Sequence, residues 1–232
     1  MTTARPQYEN YENFTKAFPI NADNLYREFY LHFRDDIQIQ KEDTAVRNLE
    51  VILNATFKLS SRKGFHAMSL RDLSQETKIS MGGLYKYIQS KDKLADMIEE
   101  FAGGRIAMQL QEIVEEVPDH DERVNTIIRL FVYMVQLFQP WYFFMFMEAK
   151  NLSRDNRIKA MNYELQSTQR LERVIRARQI HHQASLENIS LTSSTLMATM
   201  EAWYLKHWHY QEQGISIDDY ADYCVALTRK LL

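Results

Sequence analysis

The chain has 232 residues, of which 45% are hydrophobic and 25% charged, and its formal net charge is −3. Its 6 Gly and 4 Pro are too few for an all-β sandwich or barrel, which needs a turn every 8–12 residues or so, and they favour long helices. The single cysteine, Cys224, excludes an internal disulfide framework and a cysteine-based zinc site, so we expect a reducing, cytoplasmic setting. The sequence has no secretory signal pattern and no long uncharged run, so we expect no membrane span.

The first 44 residues form an acidic extension with an amphipathic pattern. Its apolar side chains recur at helical spacing, at Tyr26, Phe29, Tyr30, Phe33 and Ile37. Because the extension is acidic, we expect it to pack on its own subunit or on a partner subunit rather than on DNA.

A basic stretch follows the extension. Residues 1–46 carry 5 Lys and Arg against 8 Asp and Glu, residues 47–93 carry 9 against 4, and residues 94–232 carry 14 against 19. A basic stretch inside an acidic chain suggests a module that binds a polyanion, and chance explains so short a window about equally well.

The same stretch has the proportions of a helix-turn-helix. A long first helix ends at Gly64, and two short helices are predicted over about residues 69–77 and 81–87. Ser69 and Ser80 are suitable N-caps for them. A short second helix of this kind fits the major groove of DNA.

Four short motifs follow one another along residues 64–94. They are Gly-Phe at the end of the first helix, Ser-Leu-Arg-Asp-Leu opening the second, Ile-Ser-x-Gly-x-Leu-Tyr-x-Tyr through the third and Ser-Lys-x-x-Leu starting the fourth. Together they resemble the DNA-binding domain of the TetR family of bacterial transcriptional regulators, over about residues 45–98.

The resemblance implies a homodimer whose two heads contact a palindromic operator in double-stranded DNA, and a C-terminal helical domain that senses a small molecule. It carries DNA contacts over to nine residues: Ser69, Arg71, Ser80, Met81, Gly82, Tyr85, Lys86, Tyr87 and Lys91. We expect Lys91 to bind a backbone phosphate. Met81 and Gly83 depart from the family pattern, so base reading would depend more on Arg71 and Lys86.

Helical periodicity continues to the end of the chain and predicts an all-α fold. A helix over about residues 91–116 carries Gly103 and Gly104 at mid-length, which serve either as a hinge or as a site of close helix packing. Five further helices are predicted, ending near residues 140, 152, 182, 214 and 231.

Aromatic and methionine side chains are concentrated between residues 131 and 147. Rings and thioethers make adaptable walls for an apolar ligand, and the same residues could equally supply a core. Because the resembling family has a cavity here, we expect a pocket, with Glu148 meeting a polar ligand group or forming a salt bridge. The expected pocket residues are Phe131, Met134, Phe138, Trp141, Met145 and Glu148.

The last two predicted helices, over residues 191–213 and 216–232, carry more apolar surface than a terminal hairpin can bury alone. Pairing with the same hairpin of a second chain would form a four-helix bundle. The expected interface residues are Met200, Trp203, Tyr204, Tyr220 and Leu227.

We therefore expect an extension over 1–44, a helix-turn-helix domain over 45–92 and an antiparallel helical domain for ligand binding and dimerisation over 93–232. The expected function is a DNA-binding repressor that a small apolar molecule releases from its operator. The alternative is a helical protein–protein adaptor that keeps the head fold without operator binding. No catalytic triad, phosphate loop or metal-ligand spacing stands out, so we expect no enzymatic activity, no metal and no cofactor.

Overall fold

The computed structural model describes residues 8–184 and 187–232. Within them the expected all-α fold is confirmed. The α-helices are α1 (Tyr11–Ala17), α2 (Leu25–His32), α3 (Glu42–Lys63), α4 (Leu70–Thr77), α5 (Met81–Leu84), α6 (Lys91–Glu99), α7 (Ala107–Glu115), α8 (His120–Leu137), α9 (Gln139–Glu148), α10 (Arg154–His182), α11 (Ile189–Leu205), α12 (His207–Glu212) and α13 (Ile217–Leu231).

The chain folds into two compact units, each assembled from separated segments. The first, which we call the head unit, comprises residues 22–105 and 140–162. The second, which we call the body unit, comprises the described residues up to 21, residues 106–139 and the described residues from 163 onward. Both units are discontinuous in sequence, whereas the sequence suggested three consecutive stretches.

The head unit has an aromatic core built on α2 and α3. The 22-residue helix α3 has Glu42 and Asp43 in its first turn and basic residues in its last, which complement the helix dipole. The ring of Phe29, from α2, lies 5.1 Å from that of Phe101 and 5.6 Å from that of Trp141, measured between centroids. The amphipathic part of the extension therefore packs on its own chain.

The body unit is centred on α8, against which α1, α7, α11 and α13 pack. Tyr133 of α8 is fully buried, and its hydroxyl donates a hydrogen bond of 2.5 Å to Asp218 Oδ1. Phe14 from α1 packs 5.6 Å from the Tyr133 ring. Burial and the hydrogen bond to Asp218 raise the pKa of the Tyr133 hydroxyl well above its usual value.

The two adjacent glycines lie in a π-helical segment, Glu100–Ile106, between α6 and α7. Gly103 is buried and Gly104 half-buried. One of the four boundaries between the two units falls within this segment, after Arg105. A π-helical turn marks a local departure from the α-helical hydrogen-bond pattern and is frequently found at functional sites.

Among the described residues, no single helix is long and apolar enough to cross a membrane. The consecutive helices α8 and α9 reach the required length and composition only when taken together across a bend. Cys224 is buried in α13, and burial raises the pKa of its thiol to about 12.

Candidate functional sites

The start of α4 is fixed by a capping box. The Ser69 hydroxyl accepts a hydrogen bond of 3.2 Å from the Asp72 backbone N–H, and Asp72 Oδ2 accepts one of 2.7 Å from the Ser69 N–H. Lys63 forms an ion pair with the same carboxylate at 2.7 Å. Lys63 and Ser69 together hold the pKa of the Asp72 carboxyl well below its usual range. The beginning of α4 is thereby tied to the end of α3.

The turn between α4 and α5 is held by side chain to backbone hydrogen bonds. Lys78 adopts the left-handed conformation, with φ of 60°. Ser74 Oγ donates to the Ile79 carbonyl at 2.6 Å, and the Thr77 hydroxyl accepts from the Ile79 N–H at 3.2 Å. These bonds fix the position of α5 relative to α4.

Helix α5 covers Met81–Leu84 and is shorter than the predicted helix over 81–87. The Ser80 hydroxyl caps it by accepting a hydrogen bond of 3.2 Å from the Gly83 N–H. A Cβ on Gly83 would lie 2.8 Å from Ile79 Cγ2, whereas a Cβ on Gly82 would meet nothing within 4 Å. The turn therefore needs glycine at 83, and Gly82 leaves an open surface.

Three side chains of this domain point to solvent in a manner suited to DNA contact. Tyr85 is 47% exposed, and Arg71 and Lys86 are exposed. None of the described residues forms an ion pair or hydrogen bond with the side chains of Arg71 and Lys86. Their charges are thus available to a polyanion.

Two of the expected DNA contacts are engaged within the protein instead. Tyr87 is 3% exposed, and its hydroxyl accepts a hydrogen bond of 2.7 Å from Asn48 Nδ2, so its ring cannot stack on DNA. Lys91 Nζ donates to the carbonyls of Phe65, His66 and Met68 at 3.1, 2.8 and 3.1 Å. Those three bonds use the three donors of the ammonium group, which corrects the expectation that Lys91 binds phosphate.

The remaining expected contacts have mixed positions. The hydroxyls of Ser69 and Ser80 are exposed but serve as caps, and the Met81 side chain is half-buried. Of the four apolar residues that the sequence pattern assigns to the core of this domain, Leu73, Leu84 and Ile88 are buried and Ile79 is half-buried.

Comparison with known proteins matches the same part of the chain. The model of "Bacterial regulatory proteins, tetR family" matches residues 52–98. Residues 52–98, which contain the helix-turn-helix, are therefore similar to the DNA-binding domain of TetR-family transcriptional regulators. The similarity predicted from the four short motifs is confirmed.

Related proteins extend the similarity beyond this domain. The transcriptional regulator HbdR from Aromatoleum sp. (strain CIB) is 22% identical over 171 residues, which are 74% of each chain. UidR from Escherichia coli (strain K12) is 30% identical over 96 residues, 41% of this chain and 47% of UidR. The crystal structure of the TetR-family regulator PfmR from Thermus thermophilus matches with a TM-score of 0.64 at 23% identity, covering 78% of this chain and 98% of that one.

The body unit contains two neighbouring pockets. One has a volume of about 20 Å³ and is lined mainly by apolar residues, which include Phe131 and Met134, together with Ser167 and Arg170. The other has a volume of about 220 Å³ and is lined by residues of α7, α8 and α10. The two pockets share Leu110, Ile127 and Arg170.

The six expected ligand residues divide between the two units. Phe131, Met134 and Phe138 belong to the body unit, where Phe138 packs 6.2 Å from Phe18. The other three belong to the head unit and are Trp141, Met145 and Glu148. Trp141 is part of the aromatic core, Met145 is half-buried, and Glu148 accepts a hydrogen bond of 2.7 Å from Ser60 Oγ.

Four of the five expected dimer residues are buried within the single chain. Met200, Trp203, Tyr204 and Tyr220 are at most 6% exposed, and Leu227 is half-buried. Trp203 Nε1 donates to Gln136 Oε1 at 2.6 Å. The hairpin thus buries these residues against its own unit, which corrects the argument that only a second chain could cover them. Leu191 and Tyr223 remain 66% and 62% exposed.

Sequence reasoning assigned no role to the arginines of α10 or to Glu99. Arg170 and Arg173 line the larger pocket. Their spacing of three along a predicted helix was a signal that could have placed them on one face. Glu99 is fully buried, and neither carboxylate oxygen has a hydrogen-bond partner among the described residues. Nothing in its local sequence indicates this burial.

Proposed function

We propose that the chain is a homodimeric, cytoplasmic repressor that a small apolar molecule releases from a palindromic operator. The observation that carries the DNA-binding part is the exposed group of Arg71, Tyr85 and Lys86 on a rigidly capped helix-turn-helix. Capping fixes the backbone that carries the three side chains, so binding to the duplex would cost little further loss of backbone conformational freedom.

A mobility-shift titration on the DNA upstream of the chain's own gene tests this role. We expect wild-type binding that weakens steeply with salt, and weaker binding by Arg71→Ala and Lys86→Ala. Lys206→Ala, at an exposed lysine of the body unit, is the matched control and should bind as wild type does. Absent or salt-insensitive binding by the wild type would contradict the repressor and favour the adaptor.

The dimer is proposed to form through the outer face of α11 and α13. On α11 this face carries Leu191, Thr195 and Ala198, which are exposed at helical spacing. On α13 it carries Tyr223 and Ala226, which are also exposed. A symmetric pairing needs one self-complementary patch, and small residues allow close approach of two helices.

Sedimentation of Ala198→Arg and Tyr223→Arg tests this face. Both variants should remain folded and sediment as monomers, because they place charge on a surface that is exposed in the single chain. A wild-type protein that is a folded monomer at micromolar concentration would contradict the proposal.

For the response to a ligand, we propose that binding in the body unit changes the π-helical segment Glu100–Ile106. A ligand shifts a conformational equilibrium only by its differential affinity for the two states. Changing Gly103 and Gly104 together to alanine should leave operator affinity nearly intact and reduce release by ligand. If the folded double variant is still fully released from the operator by ligand, this segment is not part of the mechanism. The two glycines would then serve only to allow close helix packing.

A further inference from the structure

We propose that the body unit binds a small apolar anion, with the negative group bound by arginines of α10 and the apolar part entering the neighbouring methionine-lined cavity. The inference rests on the ligand response proposed above and names the chemical class of the ligand.

The smaller pocket supplies the apolar end. It lies between α7, α8, α10 and α11, and its volume is about 20 Å³. A cavity of that size holds one water-sized or methyl-sized group, so a larger apolar group needs the walls to move. Phe131, Met134, Met197 and Met200 form part of those walls. Thioether side chains adapt their shape at low cost, so the cavity can enlarge around a ligand.

The larger pocket supplies the charged end. Its lining includes Arg123, Arg170 and Arg173 and one acidic residue, Glu115. The Glu115 carboxylate already accepts a hydrogen bond of 2.5 Å from Gln111 Nε2. Three guanidinium groups against one carboxylate give this pocket a positive balance. At about 220 Å³ it has room for the polar group of a small ligand.

Arg170 lies at the junction, because it lines both pockets. Its Nε donates to Gln111 Oε1 at 3.1 Å and its Nη1 to Ser167 Oγ at 3.4 Å, which hold the side chain in place. A guanidinium held between an apolar cavity and an open pocket matches a carboxylate or sulfonate attached directly to an apolar group.

Arg173 has no hydrogen bond or ion pair with any described residue. Three residues further along the same helix, Arg176 is paired with Glu172 at 2.7 Å. The two arginines therefore provide a matched comparison, because one lines the pocket and lacks a partner while the other has one and lies outside the lining.

The test compares two fluorescent probes of similar apolar shape, 8-anilinonaphthalene-1-sulfonate and the neutral N-phenyl-1-naphthylamine. We expect the wild type to bind the sulfonate about tenfold more tightly, with added salt weakening only that probe. Arg173→Gln should weaken sulfonate binding about fivefold or more and neutral-probe binding less than about twofold. Arg176→Gln should change neither.

Equal losses of both probes in Arg173→Gln, or a wild type that prefers the neutral probe, would overturn the anion site. A mobility shift with the sulfonate present separates this result from the proposed function. If the sulfonate binds in an arginine-dependent manner but does not release the protein from the operator, the anion site is supported and the proposed ligand response is overturned. Release that persists in Arg173→Gln overturns the anion site and leaves the repressor in place.

Discussion

The head unit and the body unit both complete their cores with aromatic rings from the N-terminal extension, but they place their basic residues differently. In the head unit, Arg71 and Lys86 extend into solvent without described partners. In the body unit, Arg170 and Arg173 line a pocket beside an apolar cavity. The first arrangement suits a large external polyanion and the second a small molecule that is partly enclosed. Basic residues are thus placed in two different environments, and each environment suits the kind of recognition proposed for it.

The largest expected effect comes from an aromatic residue of the body core. Trp203→Ala should lower the free energy of unfolding by about 3–5 kcal/mol, because it removes a buried ring and the hydrogen bond to Gln136. Tyr85→Ala in the head unit should change stability by less than about 0.5 kcal/mol and weaken operator binding. Urea unfolding and mobility shifts measure the two effects. A stable Trp203→Ala that dissociates into monomers would instead place this residue at the dimer interface.

The second effect depends on pH and concerns Glu99. Burial, with Asp96 nearby, raises the pKa of this carboxyl from 4.5 to about 8, while Lys159 acts in the opposite direction. Between these values the folded state keeps a proton that the unfolded chain has lost. Stability should therefore fall as pH rises through this window, by about 1.4 kcal/mol for each pH unit.

Unfolding of Glu99→Gln at pH 5, 6.5 and 8 checks this expectation, since the variant should lose less stability than the wild type as the pH rises.

Glu201 is the counterpart in the body unit, because burial and Glu164 raise its pKa to about 7. Glu201→Gln should make the free energy of unfolding less dependent on pH only below about pH 7. Parallel wild-type and Glu99→Gln profiles would show that Glu99 is ionised in the folded protein.

The third effect separates two lysines of the head unit. Lys91→Ala removes a donor from three carbonyls, of which only that of Phe65 keeps another hydrogen bond within the described part of the chain, from the Met68 N–H, and should lower the free energy of unfolding by about 1–3 kcal/mol. Lys86→Ala should leave stability unchanged and cost about 1–3 kcal/mol in discrimination between operator and random DNA. Denaturation and competition mobility shifts measure both. An equal loss on operator and random DNA for Lys86→Ala would exclude base reading by this residue.

The smallest effect compares the two glycines of α5. Gly83→Ala should destabilise the protein by about 1 kcal/mol, because its Cβ would lie 2.8 Å from Cγ2 of Ile79, the methyl group attached directly to the Ile79 Cβ. Gly82→Ala meets no atom within 4 Å and should be neutral for folding. Thermal unfolding of the two variants tests this difference. A destabilised Gly82→Ala together with an unaffected Gly83→Ala would contradict the geometry of the turn.

The helix-turn-helix domain was largely predictable because its signals are local. Caps at Ser69 and Ser80 and the helix end at Gly64 depend on residues within one turn of each other, and all are present. The length of α5 was not predicted correctly, since Leu84 ends the helix although the apolar pattern continues to Ile88. Periodicity marks which residues are buried and does not fix where a short helix ends.

The sequence by itself determined the all-α fold, the helix-turn-helix and its similarity to TetR-type regulators, because composition, periodicity and capping act over a few residues. Only the tertiary structure decided which side chains remain available for binding. Lys91 is engaged by three carbonyls about 25 residues away in sequence, and Trp203 is bonded to Gln136 67 residues away. The segments on either side of Pro140 join different units, so the aromatic run divides between two cores. The burial of a side chain and its hydrogen-bond partners depend on such distant contacts, which the pattern of neighbouring residues does not determine.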